Sequence, residues 1–384
     1  MVQIRRASTQ IHVLIFLCVL VCTSATVFAQ SASPEAAMNF ERQGRFTEAA
    51  AVWRQVTKQN PNDAGAFASM GVDLSREAKY SEAVAAYKKA LELNPSLPGI
   101  ELNLGLADFK QGHFASAVGP LSAALKEDPS SVQARALLGM SCYGEGKFAE
   151  AIKNLEPIVQ SDPENIELRQ VLAQSCLSAK SYSCAEEQFR KILEENPNSA
   201  AAHMLTGEAL DGLHRTNDAI AEFQQAVKLA PREPDVHFGL GYLYWKLQRY
   251  DEAKRELEAE LEINPTHAQA LAYLGDIELK QNRLENAASF LERSLKEKND
   301  IRIAYLDYGE LRTDQKQYPE AIKAYERAVE LDPTQPDAHY CLGRIYKAMD
   351  ETQKSKQEFA KAQELHQKSD AAAVLQLNRP HPSP

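Results

Sequence analysis

The stretch Ala64–Leu97 has the hydrophobic pattern of two short amphipathic helices. In its first half, residues at three- and four-residue steps share one helical face: Phe67, Met70, Gly71 and Leu74. After a loop at 78–80, a second series follows: Ala83, Tyr87 and Ala90. We expect this second helix to end at Asn94, because Pro95 lacks an amide hydrogen and clashes with the preceding turn. The pattern therefore predicts a helix-turn-helix unit.

The same unit recurs every 34 residues along most of the chain. Alanine holds one position of the second helix nine times: Ala49, Ala83, Ala117, Ala151, Ala185, Ala219, Ala253, Ala287 and Ala321. Glycine holds one position of the first helix eight times: Gly71, Gly105, Gly139, Gly207, Gly241, Gly275, Gly309 and Gly343. A fixed period of this size predicts one unit copied into a stacked array.

We expect these small residues where the two helices of a unit cross, since larger side chains would push the axes apart. A glycine inside a helix costs about 1 kcal/mol relative to alanine. Eight glycines in register therefore indicate a packing requirement. Leucine or an aromatic residue in the second helix is expected to fill the space beyond the crossing. Near the crossing residue Ala219, we expect Glu222 to be exposed.

The segments Ala83–Pro95 (AVAAYKKALELNP) and Ala321–Pro333 (AIKAYERAVELDP) resemble the second helix of the tetratricopeptide repeat, a family with this period. The resemblance covers about residues 30–368. It implies an all-α, right-handed α-α superhelix, a solenoid of about ten 34-residue units. Three repeats depart from the pattern: Ala173 replaces the glycine, Asn299 replaces the proline and Ser355 replaces the alanine.

The ends of the repeats also carry predictions. Polar residues after each second helix are candidate caps for the next one: Asp63, Ser96, Ser131, Asn165, Ser199, Thr266 and Thr334. Beyond the last repeat, residues 369–384 are expected to form a short capping helix near Asp370–Leu377 and a disordered, Pro-rich tail.

Residues 1–29 lie outside the repeat pattern and have the layout of a secretory signal peptide. Arg5 and Arg6 form a basic start, an apolar core follows, and small residues precede a cleavage site before Gln30. This predicts an exported protein, periplasmic or secreted. The alternative is an uncleaved membrane anchor formed by residues 11–28.

The balance of charge limits the partners. The chain has 43 basic and 53 acidic residues, a net charge of −10. Without Arg5 and Arg6 the charge is −12, from 41 basic and 53 acidic residues. Such a surface argues against nucleic acid and against anionic lipid. We therefore expect a protein or peptide partner, and membrane association only if residues 1–29 are retained.

Four cysteines follow the signal segment: Cys142, Cys176, Cys184 and Cys341. Cys142 is expected to be a small apolar core residue. Cys184 starts the second helix of the fifth repeat, across the loop from Cys176, and export would permit a disulfide between them. The alternative is that both remain thiols, since connectivity cannot be read from a sequence.

We find no sequence pattern for catalysis. His203, His237 and His339 share one position of the repeat, but a repeat spacing of about 10 Å separates neighbours, too far to ligate one metal ion. We interpret them as packing residues. No phosphate-binding loop or nucleophile elbow occurs. We therefore predict a protein that is not an enzyme and has no metal, cofactor or catalytic residue.

In tetratricopeptide repeats, one face of the first helices lines the concave groove where peptides bind, so the resemblance implies a binding surface here. On that face the third, fourth and seventh repeats carry large apolar side chains: Leu102, Leu106, Phe109, Met140, Tyr143, Phe238, Tyr242 and Trp245. Repeats six, eight and nine add acidic side chains: Glu208, Asp211, Asp276 and Glu310. These residues either anchor a partner or fold down onto the next repeat. For Trp245, the first interpretation predicts that replacement by alanine weakens binding and leaves stability nearly intact.

The predicted function is a non-catalytic interaction scaffold that binds an extended peptide or helix in the groove. The alternative is a periplasmic assembly factor or chaperone for envelope proteins. A less favoured hypothesis is the repeat arm of a transferase-type enzyme.

The first prediction concerns export and the Cys176–Cys184 pair. The chain recovered from its native cell envelope should begin at Gln30, and its intact mass should rise by two hydrogens on reduction. Alkylation before and after reduction, followed by mass spectrometry, measures both. If residues 1–29 are retained, the prediction of cleavage is wrong. If four thiols react before reduction, the prediction of a disulfide is wrong.

Overall fold

A computed structural model describes the backbone of residues 32–377 and the side chains of residues 32–371. Residues 32–377 contain twenty α-helices and no β-strand, so the predicted all-α solenoid of helix-turn-helix units is confirmed. Within this range no helix is both long and apolar enough to span a membrane. The predicted signal segment and the Pro-rich end of the tail lie outside the described residues.

The chain divides into two compact units, with the boundary between Ser181 and Tyr182, inside the fifth repeat. The first unit contains these helices: α1 (Pro34–Arg42), α2 (Phe46–Gln59), α3 (Ala64–Arg76), α4 (Tyr80–Leu93), α5 (Ile100–Lys110), α6 (Phe114–Glu127), α7 (Val132–Gly144), α8 (Phe148–Ser161) and α9 (Ile166–Ser178).

The second unit contains the remaining helices: α10 (Tyr182–Glu195), α11 (Ala200–Gly212), α12 (Thr216–Leu229), α13 (Val236–Lys246), α14 (Tyr250–Ile263), α15 (Ala268–Lys280), α16 (Leu284–Glu297), α17 (Arg302–Asp314), α18 (Tyr318–Leu331), α19 (Asp337–Ala348) and α20 (Thr352–Leu377). Odd-numbered helices are the first helices of the ten repeats. Neighbouring first helices contact one another from α3 to α9 in the first unit and from α13 to α19 in the second. Within each unit, we call the surface formed by the first helices the first-helix face.

The conserved spacing of small residues reflects direct contact between the two helices of a repeat. A Cβ atom added to Gly71 would lie 2.5 Å from the Tyr87 ring, and one added to Gly241 would lie 2.9 Å from Leu257 Cγ. The other six glycines meet a large side chain in the same way: Leu121, Leu155, Phe223, Leu291, Tyr325 and Phe359. All nine alanines of the second helices are 0% exposed.

Four of the seven predicted caps accept a hydrogen bond from the backbone of the following helix. They are Asp63, Ser131, Asn165 and Ser199. The prediction is wrong for Ser96, Thr266 and Thr334, whose amides instead donate to the Asn or Asp two residues earlier. At α15 the in-register cap is His267, whose side chain accepts from the Ala270 amide.

Every loop between the two helices of a repeat contains one residue in the left-handed backbone region. Three of these are glycines, Gly44, Gly112 and Gly146. The other seven are not: Ala78, Lys180, His214, Gln248, Asn282, Lys316 and Asp350. The loop closes in each described case by a backbone bond such as Lys79 N–H to Leu74 O, at 2.9 Å. Residues other than glycine are strained here by about 1–2 kcal/mol.

Two further expectations differ from the structure. The separate capping helix near Asp370–Leu377 is wrong, because α20 runs unbroken from Thr352 to Leu377 and no proline or glycine interrupts it. Glu222 is not an exposed control position. Its side chain is only 17% exposed, because it binds His203 across the repeat.

The crossing contact predicts a sharp contrast on α12. Ala219→Leu should cost about 1–3 kcal/mol, since the added atoms have no space at the 0%-exposed crossing. Ala221→Leu, the same change at an exposed position of the same helix, should be nearly neutral. Urea denaturation of both variants measures this. Equal destabilisation would show that the crossing is not the tight point of the repeat.

The left-handed loop position predicts a stabilising change. Ala78→Gly should raise the free energy of unfolding by about 0.5–1 kcal/mol, because relief of backbone strain exceeds the added entropy of the unfolded chain. Lys79→Gly, where φ is −85°, should be destabilising. Thermal unfolding followed by circular dichroism compares them, and a destabilising Ala78→Gly would argue against strain at this position.

Candidate functional site

In the first unit, the predicted binding residues pack onto their own and neighbouring repeats. Leu102, Leu106, Phe109, Met140 and Tyr143 are half-buried and pack against one hydrophobic cluster. The Phe109 ring lies 5.6 Å from that of Phe114, and the Tyr143 ring lies 6.0 Å from that of Phe148. Tyr143 also donates a hydrogen bond to Gln174 in the next repeat. Here the contacts favour repeat packing over an open binding surface.

In the second unit, the predicted residues instead form an aromatic cluster with a fourth ring. Phe238, Tyr242 and Trp245 on α13 are half-buried and meet Tyr273 on α15. Ring centroids lie 4.7 Å apart for Trp245–Tyr273 and 5.5 Å for Tyr242–Tyr273. Tyr242 stacks with Trp245 at 6.0 Å and with Phe238 at 6.5 Å. We call these four residues the aromatic cluster.

Trp245 has a structural role within this cluster. Its indole N–H donates to Asp276 Oδ2 at 2.5 Å, and Asp276 also pairs with Lys280. Loss of the indole would remove a contact with the next repeat and leave Asp276 Oδ2 without its donor, with only Lys280 still bonded to Oδ1. The expectation that Trp245→Ala leaves stability nearly intact is therefore not supported by these contacts, and Trp245 is a poor probe of binding.

Hydrogen bonds among Asp235, Glu260 and His267 hold the start of α13, where the aromatic cluster begins. We call these three residues the corner. Asp235 takes a left-handed conformation, φ 67°, as Gly99 does at the matching position before α5. The buried Glu260 carboxylate accepts from the Asp235 and Phe238 amides, at 3.1 and 3.2 Å. His267 accepts the Ala270 amide at Nδ1, so Nε2 carries the proton and donates to Asp235 at 2.9 Å. In this arrangement the imidazole carries no charge.

Among the described residues, this corner is the group whose potential ligand atoms are close enough together to bind a metal ion. The ligand atoms of Asp235, Glu260 and His267 lie within 4.8 Å of one another. Their hydrogen bonds already account for the geometry, with Glu260 occupied by two amides. The arrangement therefore explains the conformation at Asp235 without an ion.

A cavity of about 380 Å³ opens between α11 and α13, beside the aromatic cluster. Phe238 and Tyr242 form part of its wall, and Glu208, Asp211 and Asp235 bring three carboxylates to it. No lysine or arginine lines it. Lys246 pairs with Asp211 at 2.7 Å, but Glu208 makes no hydrogen bond or ion pair with any described residue. Desolvation, and then repulsion from Asp235, raises the pKa of the Glu208 carboxyl.

A further carboxylate lies buried on α17. Asp307 is 7% exposed, and its Oδ2 has no hydrogen-bond partner in the described part of the chain. Burial, and after it repulsion from Asp276, raises the pKa of Asp307 well above its usual range. Lys280 acts in the opposite direction and Glu310 adds to the repulsion.

The three histidines of the repeat link the two helices of their own repeat. His203 and His237 bind Glu222 and Glu256 through Nδ1, at 2.6 and 2.7 Å, and the carbonyls of Pro197 and Pro231 through Nε2. His339 binds Glu358 at 2.7 Å. These contacts agree with a packing role. Cys142 and Cys341 are free, whereas the Cys176–Cys184 disulfide stays a prediction.

Sequence reasoning missed Tyr273, Asp235, Glu260 and His267. Tyr273 lies two residues before its glycine, outside the positions assigned to the face, and it joins the cluster only because α13 and α15 are neighbours. Glu260 stands where the other second helices have alanine, valine, isoleucine or serine, and that departure was the available signal.

Comparison with protein families assigns most of the chain to one repeat type. Models described as "Tetratricopeptide repeat" match residues 35–63, 102–166, 143–209, 207–266, 238–300 and 336–368. A model described as "TPR repeat" matches residues 78–112 and 309–350. The chain belongs to the tetratricopeptide repeat family. Proteins of this family commonly serve as scaffolds that bind other proteins.

Solved structures of other tetratricopeptide repeat proteins are similar in fold. The Cut9–Hcn1 hetero-tetramer of the APC/C matches at 13% identity over 89% of this chain and 82% of that one, with a TM-score of 0.52. Yeast Tom70 matches at 15% identity over 91% and 96%, with a TM-score of 0.42. YrrB, described as a TPR protein with an unusual peptide-binding site, matches at 23% identity over 50% and 99%, with a TM-score of 0.38. A search of curated proteins finds no match.

The buried carboxyl of Asp307 predicts a pH-dependent gain from Asp307→Asn. The pKa of Asp307 is higher in the folded state than in the unfolded state. Its contribution to folding stability is therefore most favourable below the unfolded pKa of 3.8 and is lost as the pH rises through the folded pKa. Asparagine does not ionise, so the variant avoids this loss of stability at higher pH. The increase in melting temperature should therefore be smallest near pH 4 and largest near pH 8.

Asp314→Asn, at an exposed position on the same helix, is the control and should show no such growth with pH. Melting temperatures of both variants and the parent between about pH 4 and pH 8 decide the matter. A gain from Asp307→Asn that is constant with pH would show that Asp307 does not titrate abnormally.

Proposed function

We propose that this protein is a non-catalytic scaffold that binds an extended peptide or helix on the first-helix face of its second unit. The aromatic cluster carries the proposal. Four half-buried rings from two adjacent first helices meet there, and two of them, Phe238 and Tyr242, line a cavity. Aromatic side chains grouped in this way supply most of the binding energy in many protein interfaces.

The cluster is also held in place before any partner arrives. Its rings contact one another at 4.7–6.5 Å, and the corner at Asp235 fixes the start of α13. Side chains that are already ordered lose little conformational entropy on binding. A peptide laid across α13 and α15 would therefore meet a preformed surface.

Two larger cavities fit this function less well. One lies on the first repeat beside Phe40, and the other lies on the last repeat between Tyr340 and Phe359. Both occur on terminal repeats, where no further described repeat covers the stacking face. Such faces arise from the ends of an array and need no ligand to explain them.

We also propose that the protein acts outside the cytoplasm, from the signal-like residues 1–29. The intact-mass measurement given above tests this independently of binding. In that compartment the same face would serve either a defined partner or, as an assembly factor, several envelope proteins in turn. Selection of one peptide consensus would favour the first, and many unrelated sequences the second.

The binding proposal predicts different outcomes for two matched phenylalanines. Phe238 and Phe290 are both half-buried and pack against the same hydrophobic cluster, but Phe290 lies on the second helix α16. Phe238→Ala should weaken binding of the best peptide by about 30-fold, the effect of losing an anchor of about 2 kcal/mol. Phe290→Ala should cost similar stability without loss of affinity.

The ligands for this test are peptides selected from a random 12-residue phage library on the purified protein. Fluorescence anisotropy with the synthetic peptide gives the dissociation constants, and thermal unfolding gives the stabilities. Equal affinity losses in the two variants would contradict the proposed face, as would failure of the library to yield any binder.

A further inference from the structure

The cavity between α11 and α13 has a charge pattern that the apolar anchors of the proposed face do not explain. Three carboxylates line it, from Glu208, Asp211 and Asp235, and its lining contains no basic side chain. Lys246 balances Asp211, and His267 donates to Asp235 from an uncharged ring. Two negative charges are therefore left without a cation.

The aromatic wall narrows the chemistry of a ligand that could supply the missing charge. Phe238 and Tyr242 line the cavity from α13, so a cation in it would lie beside aromatic rings as well as carboxylates. An arginine guanidinium suits this combination, because it stacks on aromatic rings and donates several hydrogen bonds in one plane. The ammonium of lysine offers a compact charge without the stacking plane.

We propose that the cavity bounded by Glu208, Asp235, Phe238 and Tyr242 binds an arginine side chain of the peptide partner. The proposal rests on the proposed function, since the arginine belongs to a peptide held on the same face. It adds the chemical class of partner: a peptide with an arginine next to apolar residues that reach the aromatic cluster.

The position of Glu208 supports this assignment. It is exposed to solvent yet has no partner among the described residues, so it can reach a ligand without breaking an existing bond. The raised pKa of its carboxyl reflects an environment in which negative charge is unfavourable, and a bound cation would relieve that cost. Asp235, by contrast, is held by His267 and by its backbone.

A double-mutant cycle between protein and peptide tests the proposal. The probes are peptides selected from the random 12-residue library, each synthesised with its arginine and with citrulline, which is neutral and close in shape. The proteins are the full chain, Glu208→Gln, and Glu262→Gln, an exposed residue of the second helix α14 with the same charge change.

With the parent protein, citrulline should lower affinity about tenfold or more, as expected for a charge-assisted hydrogen bond. With Glu208→Gln the arginine and citrulline peptides should bind almost equally, and Glu262→Gln should behave as the parent. The citrulline comparison needs no protein variant, so it stands even if Glu208→Gln folds poorly.

Three results would overturn the inference. The first is that the selected peptides show no preference for arginine. The second is that citrulline lowers affinity equally for the parent protein and for Glu208→Gln. The third is that lysine replaces arginine without loss of affinity. If peptides bind and Phe238→Ala weakens them while any of these holds, the arginine site alone fails and the binding face stands. If no peptide binds, both fail.

Discussion

Close contact between a small residue in one helix and a large side chain in the next holds each repeat together. Gly241 shows the consequence most clearly. It approaches α14 so closely that even a methyl group would collide with Leu257. The residues three before Gly241 and one and four after it lie about 40–100° around the helix axis from it, so while Gly241 faces α14 they occupy the neighbouring flank of α13. Those residues are Phe238, Tyr242 and Trp245. The contact that stabilises the repeat therefore also presents the aromatic cluster.

Features that recur with the same residue type at every repeat were predictable from the sequence, and features that depend on particular side-chain contacts or on the backbone conformation of varied residues were not. The buried alanines and the glycine contacts follow from a spacing that recurs at every repeat. Tyr273 joins the cluster through contact between α13 and α15, which no local pattern encodes. Glu222 seemed exposed from its position, but His203, nineteen residues earlier, reaches it. The left-handed loop position went unnoticed because seven of the ten residues there are not glycine.

Buried carboxylate oxygens without a hydrogen-bond partner occur in both units, on Asp73 and Asp108 in the first and on Asp307 in the second, so they do not distinguish the units. The second unit differs at Glu208, which lies without a counter-ion beside Asp235 and shares a cavity with two aromatic side chains. In the first unit, by comparison, Phe109 and Tyr143 pack onto Phe114 and Phe148 and give no comparable opening. This contrast within one chain is the physical reason for placing the binding face on α11, α13 and α15.

Hydrogen exchange of the full chain, with and without a saturating selected peptide, tests that placement most directly. Amide exchange followed by mass spectrometry resolves the helices separately. The account predicts slower exchange in α11, α13 and α15 when the peptide is bound, and little change in α12, α14 and α16. Protection confined to those second helices, or to the first unit, would contradict it.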